Sequence, residues 1–360
     1  MRILIATDAW QPQVNGVVRS LESLSKALNE QGVEVDFLSP QGYATLPLPT
    51  YREIRLALVG WRSIKKRLDG QGFDHIHIAT EGPIGFAVRR YCLETGHPFT
   101  TSFHTRFPEY IRERVPIPEW VSYGVLRRFH NAGNGLMVAT PSLARELEQR
   151  GFNRPRIWSR GVDHQRFHPD RAVPLSLPRP IFLYAGRLAP EKNLSSFLGL
   201  DLPGSKLVIG DGPARAALQQ AHPRAHFLGA MPSDELARYY AAADVFVFPS
   251  RTDTFGMVVL EALACGCPVA ALPVQGPLDT IGTSGAGVLD FDLRTACIEA
   301  LTIPRERART HALTFTWANS ARQFLDNIAA VYDHRGTAPI ARPVARPNLR
   351  KKASKGAPAE

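Results

Sequence analysis

The chain has 360 residues, a formal net charge of +10, 44% hydrophobic and 21% charged residues, and four cysteines. That length exceeds what one hydrophobic core organises and points to two domains, while no apolar run nears the roughly 20 residues of a membrane helix. Cys92, Cys265, Cys267 and Cys297 are too few and scattered for a disulfide framework or a structural zinc site. With an N-terminus that enters a strand directly, without leader features, they predict reduced thiols in a cytoplasmic protein.

Short apolar runs alternate with helical stretches from end to end, the pattern of parallel sheets built from βαβ units. In the first half, strands are expected at residues 2–7, 33–38, 75–79, 100–104, 136–139 and 156–159. Between the first two, Val17, Leu21, Leu24 and Leu28 recur at three- and four-residue spacing, with Gly32 just beyond, which predicts a helix over 17–30. After Gly161 a proline-rich stretch (Pro169, Pro174, Pro178, Pro180) reads as a linker. A second series follows, with strands at 181–186, 206–210, 226–228, 245–248 and 269–272 and helices at 214–220, 234–242 and 257–264. The expected architecture is therefore α/β, two doubly wound, Rossmann-like parallel-sheet domains facing across a cleft, where ligands sit beyond the carboxyl ends of the strands. The domains are drawn at 1–168 and 169–316, followed by a helix at 317–334 and a basic, disordered tail at 335–360. Charge follows these divisions: +5 over 1–170, −1 over 171–334 and +6 over 335–360.

Three strand ends carry the chemistry. The first runs into a loop with Asn15 and Gly16, the glycine standing where a helix starts and backbone N–H groups can approach an anion. The strand after the linker ends in Gly186 and Arg187, with Lys192 five residues later; two fixed cations on one cleft suit a diphosphate, Arg as a fork and Lys as a point charge. The third strand opens into a loop with Asp253 and Gly256 before a helix whose second turn holds Glu261. A helix N-terminus flanked by two carboxylates can take a phosphate and accept bonds from sugar hydroxyls. Equally, Glu261 could be a buried partner of Arg187, and Asp253 an ordinary loop cap.

The Asn-Gly-Val loop, Gly-Arg-Leu followed by Glu-Lys-Asn, Gly-Asp-Gly-Pro at 210–213, and the block from Asp253 through Glu261 to Leu-Ala-Cys-Gly together resemble glycosyltransferase family 4, the retaining enzymes of GT-B fold. The runs at 77–83 and 105–110 look most like its bacterial glycolipid, sulfolipid and mannosyl-transferring branches. The resemblance covers about residues 1–334 and implies an acceptor-binding first domain, a donor-binding second domain and a final helix returning to the first. It implies that Arg187 and Lys192 hold the donor diphosphate, Glu261 the ribose hydroxyls, Asp253 the transferred sugar and the Gly16 amide a phosphate oxygen. His104 would stand beside the reacting sugar. Gly186, Gly210, Gly212, Thr254, Phe255, Gly256 and Met257 would complete the donor lining beside Asn15. Asp253 departs from the glutamate usual in the family, a change of one methylene at the sugar contact. The implied reaction is retaining α-transfer of a hexosyl group from a UDP- or GDP-sugar, without metal or other cofactor, to a lipid or glycan acceptor.

Other signals are read more plainly. Asp290-Phe291-Asp292 resembles a metal-binding pair, but Asp292 precedes a helix and fits an N-cap. His75 and His77 share a strand face without a third ligand nearby in sequence. Trp61, Ile64 and Leu68, among Arg62, Lys65, Lys66 and Arg67, form an apolar stripe on a basic helix; with the basic tail it points to peripheral association with an anionic membrane, although a surface helix packed on its own domain fits as well. No nucleic acid is expected as a partner. An epimerase of the same architecture, resembling the UDP-N-acetylglucosamine 2-epimerases, is the alternative enzyme, and a nucleic-acid-binding protein the alternative outside catalysis.

Overall fold

The computed structural model of the chain describes residues 1–333 apart from 14, 49–50, 113–116, 252 and 254; the tail from 334 and Thr254 lie outside the described residues. The first half runs β1 (Arg2–Ala6), α1 (Gly16–Glu30), β2 (Glu34–Leu38), β3 (Thr45–Leu48), β4 (Tyr51–Ala57), α2 (Trp61–Leu68), β5 (His75–Ile78), α3 (Pro83–Thr95), β6 (Phe99–Phe103), α4 (Phe107–Arg112), α5 (Glu119–His130), β7 (Gly135–Val138), α6 (Pro141–Gln149) and β8 (Pro155–Ile157). Its six-stranded parallel sheet has the order β2-β1-β5-β6-β7-β8. The second half runs β9 (Ile181–Ala185), α7 (Leu194–Leu198), β10 (Ser205–Ile209), α8 (Arg215–Ala221), β11 (His226–Gly229), α9 (Ser233–Ala242), β12 (Val245–Phe248), α10 (Met257–Ala264), β13 (Val269–Ala271), α11 (Gln275–Thr280), β14 (Gly287–Leu289), α12 (Leu293–Ala300), α13 (Arg305–Ala312) and α14 (Trp317–Asp333). Its parallel sheet has the order β11-β10-β9-β12-β13-β14.

Central strands covered on both faces explain the unbroken apolar runs. Along β1, Ile3 and Ile5 face α1 and α14, whereas Leu4 and Ala6 face α2 and α3; along β9, Ile181, Leu183 and Ala185 alternate in the same way with Phe182 and Tyr184. The β3–β4 hairpin is antiparallel and separate from both sheets, an addition that alternation alone did not predict.

Among the described residues the chain crosses between the halves twice, and the crossings lie side by side. Trp158 is buried in the first half's core, yet Val162 and Phe167 already pack into the second's, so the outward crossing falls earlier than the 168/169 division. At Gly161 a Cβ would stand 2.3 Å from the Trp317 nitrogen, and the Val162 N–H donates to Phe315 O (3.1 Å). The returning α14 then lays Ala321, Phe324 and Ile328 against Leu21, Leu24 and Leu28 of α1. Polar bonds fix its register: Trp158 Nε1–H donates to Ser320 Oγ (3.0 Å) and Asn327 Nδ2 donates to Ile157 O (2.9 Å).

The apolar stripe of α2 is a core face. Ile64 and Leu68 are buried with Ile76 and Val88, and Arg90 sits over the Trp61 ring, so this stripe is not offered to a lipid surface. Asp292 caps α12, accepting from Arg294 N (3.0 Å) and Thr295 Oγ1 (2.7 Å). His75 and His77 are also structural. The Tyr332 hydroxyl donates to Asp74 O (2.9 Å) and accepts from His75 Nδ1 (3.0 Å), and His75 Nε2 accepts from Thr100 (2.9 Å). Thr100 in turn accepts from His77 Nδ1 (2.8 Å), while Ser102 donates to His77 Nε2 (2.8 Å). Burial holds both rings neutral, His77 down to about 3, and the chain of bonds ties α14 to the sheet.

Candidate active site

Parallel strands all point their carboxyl ends the same way, so loops far apart in sequence converge there. In the second half the loops after β9 and β10 are bonded to each other: Gly186 N–H donates to Ile209 O (3.0 Å) and Leu188 N–H to Asp211 O (2.9 Å). A Cβ on Gly210 would lie 1.9 Å from Gly186 O, and one on Gly212 2.3 Å from Leu188 O. Their φ angles, +135° and +157°, are also glycine's territory. These two glycines therefore have a packing reason for their identity, independent of any ligand. Next to them the Tyr184 hydroxyl donates to Arg187 O (2.9 Å), fixing the backbone that carries the guanidinium.

Lys192, at the end of a short helical turn after β9, reaches the loop after β12: its Nζ lies 3.0 Å from Asp253 Oδ2. Asn193 Nδ2 donates to Pro249 O (3.1 Å), a second tie between the same loops. The other oxygen of Asp253 accepts from Phe255 N (3.1 Å), so Asp253 both shapes its loop and pairs with the lysine. Gly256, at φ +80°, turns the chain into α10, whose first residue is Met257.

Glu261 lies on the second turn of α10 and is buried. Its neighbours are the Tyr240 hydroxyl, donating at 3.4 Å, and Arg19 Nη1 at 3.8 Å. Burial raises its carboxyl to about 7, opposed by Arg19 and Tyr240. Arg19 belongs to α1 of the first half, so this contact spans the two halves. Sequence reading missed it, although Arg19 stands three residues after Gly16 and hence on the same side of α1. At the start of that helix the Asn15 side chain accepts from Val17 N and Val18 N, both at 3.0 Å. Asn15 is thus an N-cap, while a Cβ on Gly16 would meet open space.

His104 follows β6 and is half-buried. Arg160, from the crossing segment, donates from Nη2 to His104 Nδ1 (3.0 Å) and from Nη1 to Trp158 O (2.6 Å). Burial, then the nearby Arg160, His77 and His130, hold the imidazole well below its ordinary value. Further contacts join the halves: Ser142 Oγ donates to Asp279 Oδ1 (2.8 Å), and Arg106 bonds both Glu146 and Gln275. Among the described residues no cluster of three or more His, Cys, Asp or Glu is placed to hold a metal ion.

Two doubly wound halves, with cations and carboxylates gathered at the strand ends of one and a histidine at those of the other, define a protein of the GT-B class. The profile of Glycosyltransferase Family 4 matches residues 14–166 and that of Glycosyl transferases group 1 matches residues 179–302. A GDP-mannose-dependent alpha-mannosyltransferase of Mycobacterium tuberculosis is 30% identical, the alignment covering 94% of this chain and 98% of that protein. An alpha-monoglucosyldiacylglycerol synthase of Streptococcus pneumoniae is 26% identical over 84% of this chain and 78% of its own. The solved sucrose-phosphate synthase from Thermosynechococcus elongatus superposes with a TM-score of 0.77 at 20% identity, covering 92% of this chain and 99% of that one, a likeness of fold. The chain belongs to glycosyltransferase family 4 and is an enzyme that transfers a glycosyl group from a nucleotide sugar.

Proposed function

We propose that the enzyme moves a hexosyl group, with retained α configuration and without a metal ion, from a nucleotide diphosphate sugar to a membrane lipid or glycolipid. The observation that carries this is the Lys192–Asp253 pair at the joined strand ends, a cation for the leaving phosphate and a carboxylate for the sugar in direct contact. Arg187 and Lys192 supply the charge that other transferases take from a divalent metal, stabilising negative charge as it grows on the departing diphosphate. Asp253 exchanges its lysine bond for sugar hydroxyls, and the Gly16 amide donates to a phosphate oxygen at the start of α1.

Glu261 is suited to ribose because it is buried and, among the described residues, meets a long bond from Tyr240 and a distant guanidinium. Ribose hydroxyls supply the donors that its carboxylate lacks. The departing diphosphate takes the proton of the acceptor hydroxyl, so the protein's own groups orient the reactants and hold charge. GDP-mannose is the first donor to examine, since the mannosyltransferase relative aligns over nearly its whole length.

For the acceptor side, α5 offers an outward face with Trp120 at 75% exposure, Val121, Val125 and, one turn on, Arg128. An apolar surface rimmed by arginine suits an anionic bilayer, and the name of the diacylglycerol-glucosylating relative supports a lipid acceptor. This face takes the place of the α2 stripe. No helix among the described residues is long and apolar enough to cross a membrane, and the association proposed here is peripheral. The four buried free cysteines fit the reducing cytoplasmic side.

The test is a thermal-shift screen of GDP, UDP and ADP and their hexose conjugates, with transfer to lipid acceptors followed in chelator. One nucleotide series should raise the midpoint, and Arg187→Ala should abolish transfer while leaving the unliganded midpoint near wild type. No shift with any nucleotide, or full transfer by the variant, refutes the reading. Turnover of donor alone to an epimeric sugar nucleotide, with no acceptor consumed, would assign the isomerase alternative instead.

A further inference from the structure

We propose that Arg160 is a positioning residue for His104, fixing the imidazole in the tautomer that carries its proton on Nε2, so that His104 meets the donor sugar as a hydrogen-bond donor and never as a general base. A guanidinium has donors and no acceptor. At 3.0 Å from His104 Nδ1, the Arg160 Nη2–H must therefore donate, which requires an unprotonated Nδ1. The neutral ring then has its proton on Nε2.

The arrangement around Arg160 is specific to this task. Its residue is 4% exposed, and among the described residues no carboxylate lies within ion-pair distance. A buried guanidinium is ordinarily matched by an anion. Here it is held by the Trp158 carbonyl, by the face of the Trp158 ring at 3.9 Å and by the imidazole nitrogen. Among the described residues, the groups that act on His104 electrostatically include Arg160 from the crossing segment, His77 from β5 and His130 from α5. The Arg160 guanidinium, donating at this nitrogen, opposes a proton on Nδ1. Arg160 also adjoins Gly161, which is pressed against Thr316 and Trp317 at the return crossing, so the donor is anchored where the halves join.

The inference rests on the reading of His104 as the residue beside the sugar, but its first measurement needs no substrate. The protein has 11 histidines. With ¹⁵N-labelled imidazoles, and the His104 signals assigned by loss in His104→Asn, the wild type should show an unprotonated Nδ1 and a protonated Nε2 unchanged from pH 5 to 8. In Arg160→Met the single tautomer should be lost. Transfer, measured as kcat/KM, should then fall about tenfold, the loss of roughly one oriented hydrogen bond. Arg160→Lys, which keeps a donor and a charge, should restore part of both. In a His104→Asn background, removing Arg160 should cost nothing further, whereas a merely structural arginine would cost the same in either background.

A wild-type ring with its proton on Nδ1, an unaltered tautomer in Arg160→Met, or unchanged kcat/KM in that variant each overturns the proposal. Should Arg160→Met not fold, the wild-type tautomer and the tautomer and kcat/KM of Arg160→Lys decide. A tautomer that depends on Arg160 in a protein transferring no sugar counts against the transfer reading alone.

Discussion

Glu261→Gln separates what the buried carboxylate costs the fold from what it gives the substrate. In the folded chain burial holds this carboxyl at about 7, against an ordinary 4.5. That difference corresponds to roughly 3 kcal/mol between its protonated and charged forms. Because the folded value is the higher one, the cost is absent below about pH 4.5, where the group is protonated folded or unfolded. It grows as pH rises between 4.5 and 7 and is complete above 7. Glutamine is neutral throughout and escapes it. The unliganded variant should therefore melt close to wild type at pH 5 and roughly 6–10 °C higher at pH 8, taking a few degrees per kcal/mol for a domain of this size. Donor binding should move the other way. Losing charge-assisted bonds to the ribose should weaken the nucleotide about ten- to a hundredfold, and wild-type affinity should rise as pH passes through about 7 while that of the variant stays flat. Calorimetric melting and titration of the nucleotide at pH 5, 6, 7 and 8 measure both. A melting difference independent of pH, or a glutamine variant less stable at pH 8, would refute the reasoning.

Lys192→Met leaves Asp253 without its 3.0 Å partner and removes one of the two cations proposed for the leaving group. Its kcat should fall about a hundred- to a thousandfold, as for loss of one oxyanion-stabilising donor, in steady-state assays at saturating donor; a change confined to KM would place the lysine in ground-state binding instead. Trp120→Asp combined with Val125→Asp on the outward face of α5 should reduce sedimentation with vesicles containing anionic phosphatidylglycerol at least severalfold while leaving nucleotide binding as in wild type. Unchanged sedimentation would remove α5 from the docking surface.

Much of the fold was legible because it is local. Strands covered on both faces must be apolar throughout, and α1 must present Leu21, Leu24 and Leu28 to a sheet, so periodicity alone marked them. The Asp292 cap was readable for the same reason, since its bonds reach only to residues 294 and 295. The α2 stripe was not, because a narrow apolar face looks alike whether a lipid or Ile76 and Val88 lie opposite it. Gly210 and Gly212 were read as part of a donor motif, and their packing against the loop after β9 became apparent only when the two loops met.

By itself, then, the amino-acid order determined the two βαβ series, the motif-bearing loops at their strand ends and the chemical kinds of group available there. Which groups touch was decided by tertiary structure alone. Arg19 is 242 positions from Glu261, and Arg160 is 56 from His104. Chain spacing carries no information over such separations, because contact there depends on how two sheets and a returning helix pack. The same packing sets the electrostatics: a glutamate reads as an ordinary carboxylate until α9, α10 and α1 close around it and take away its water.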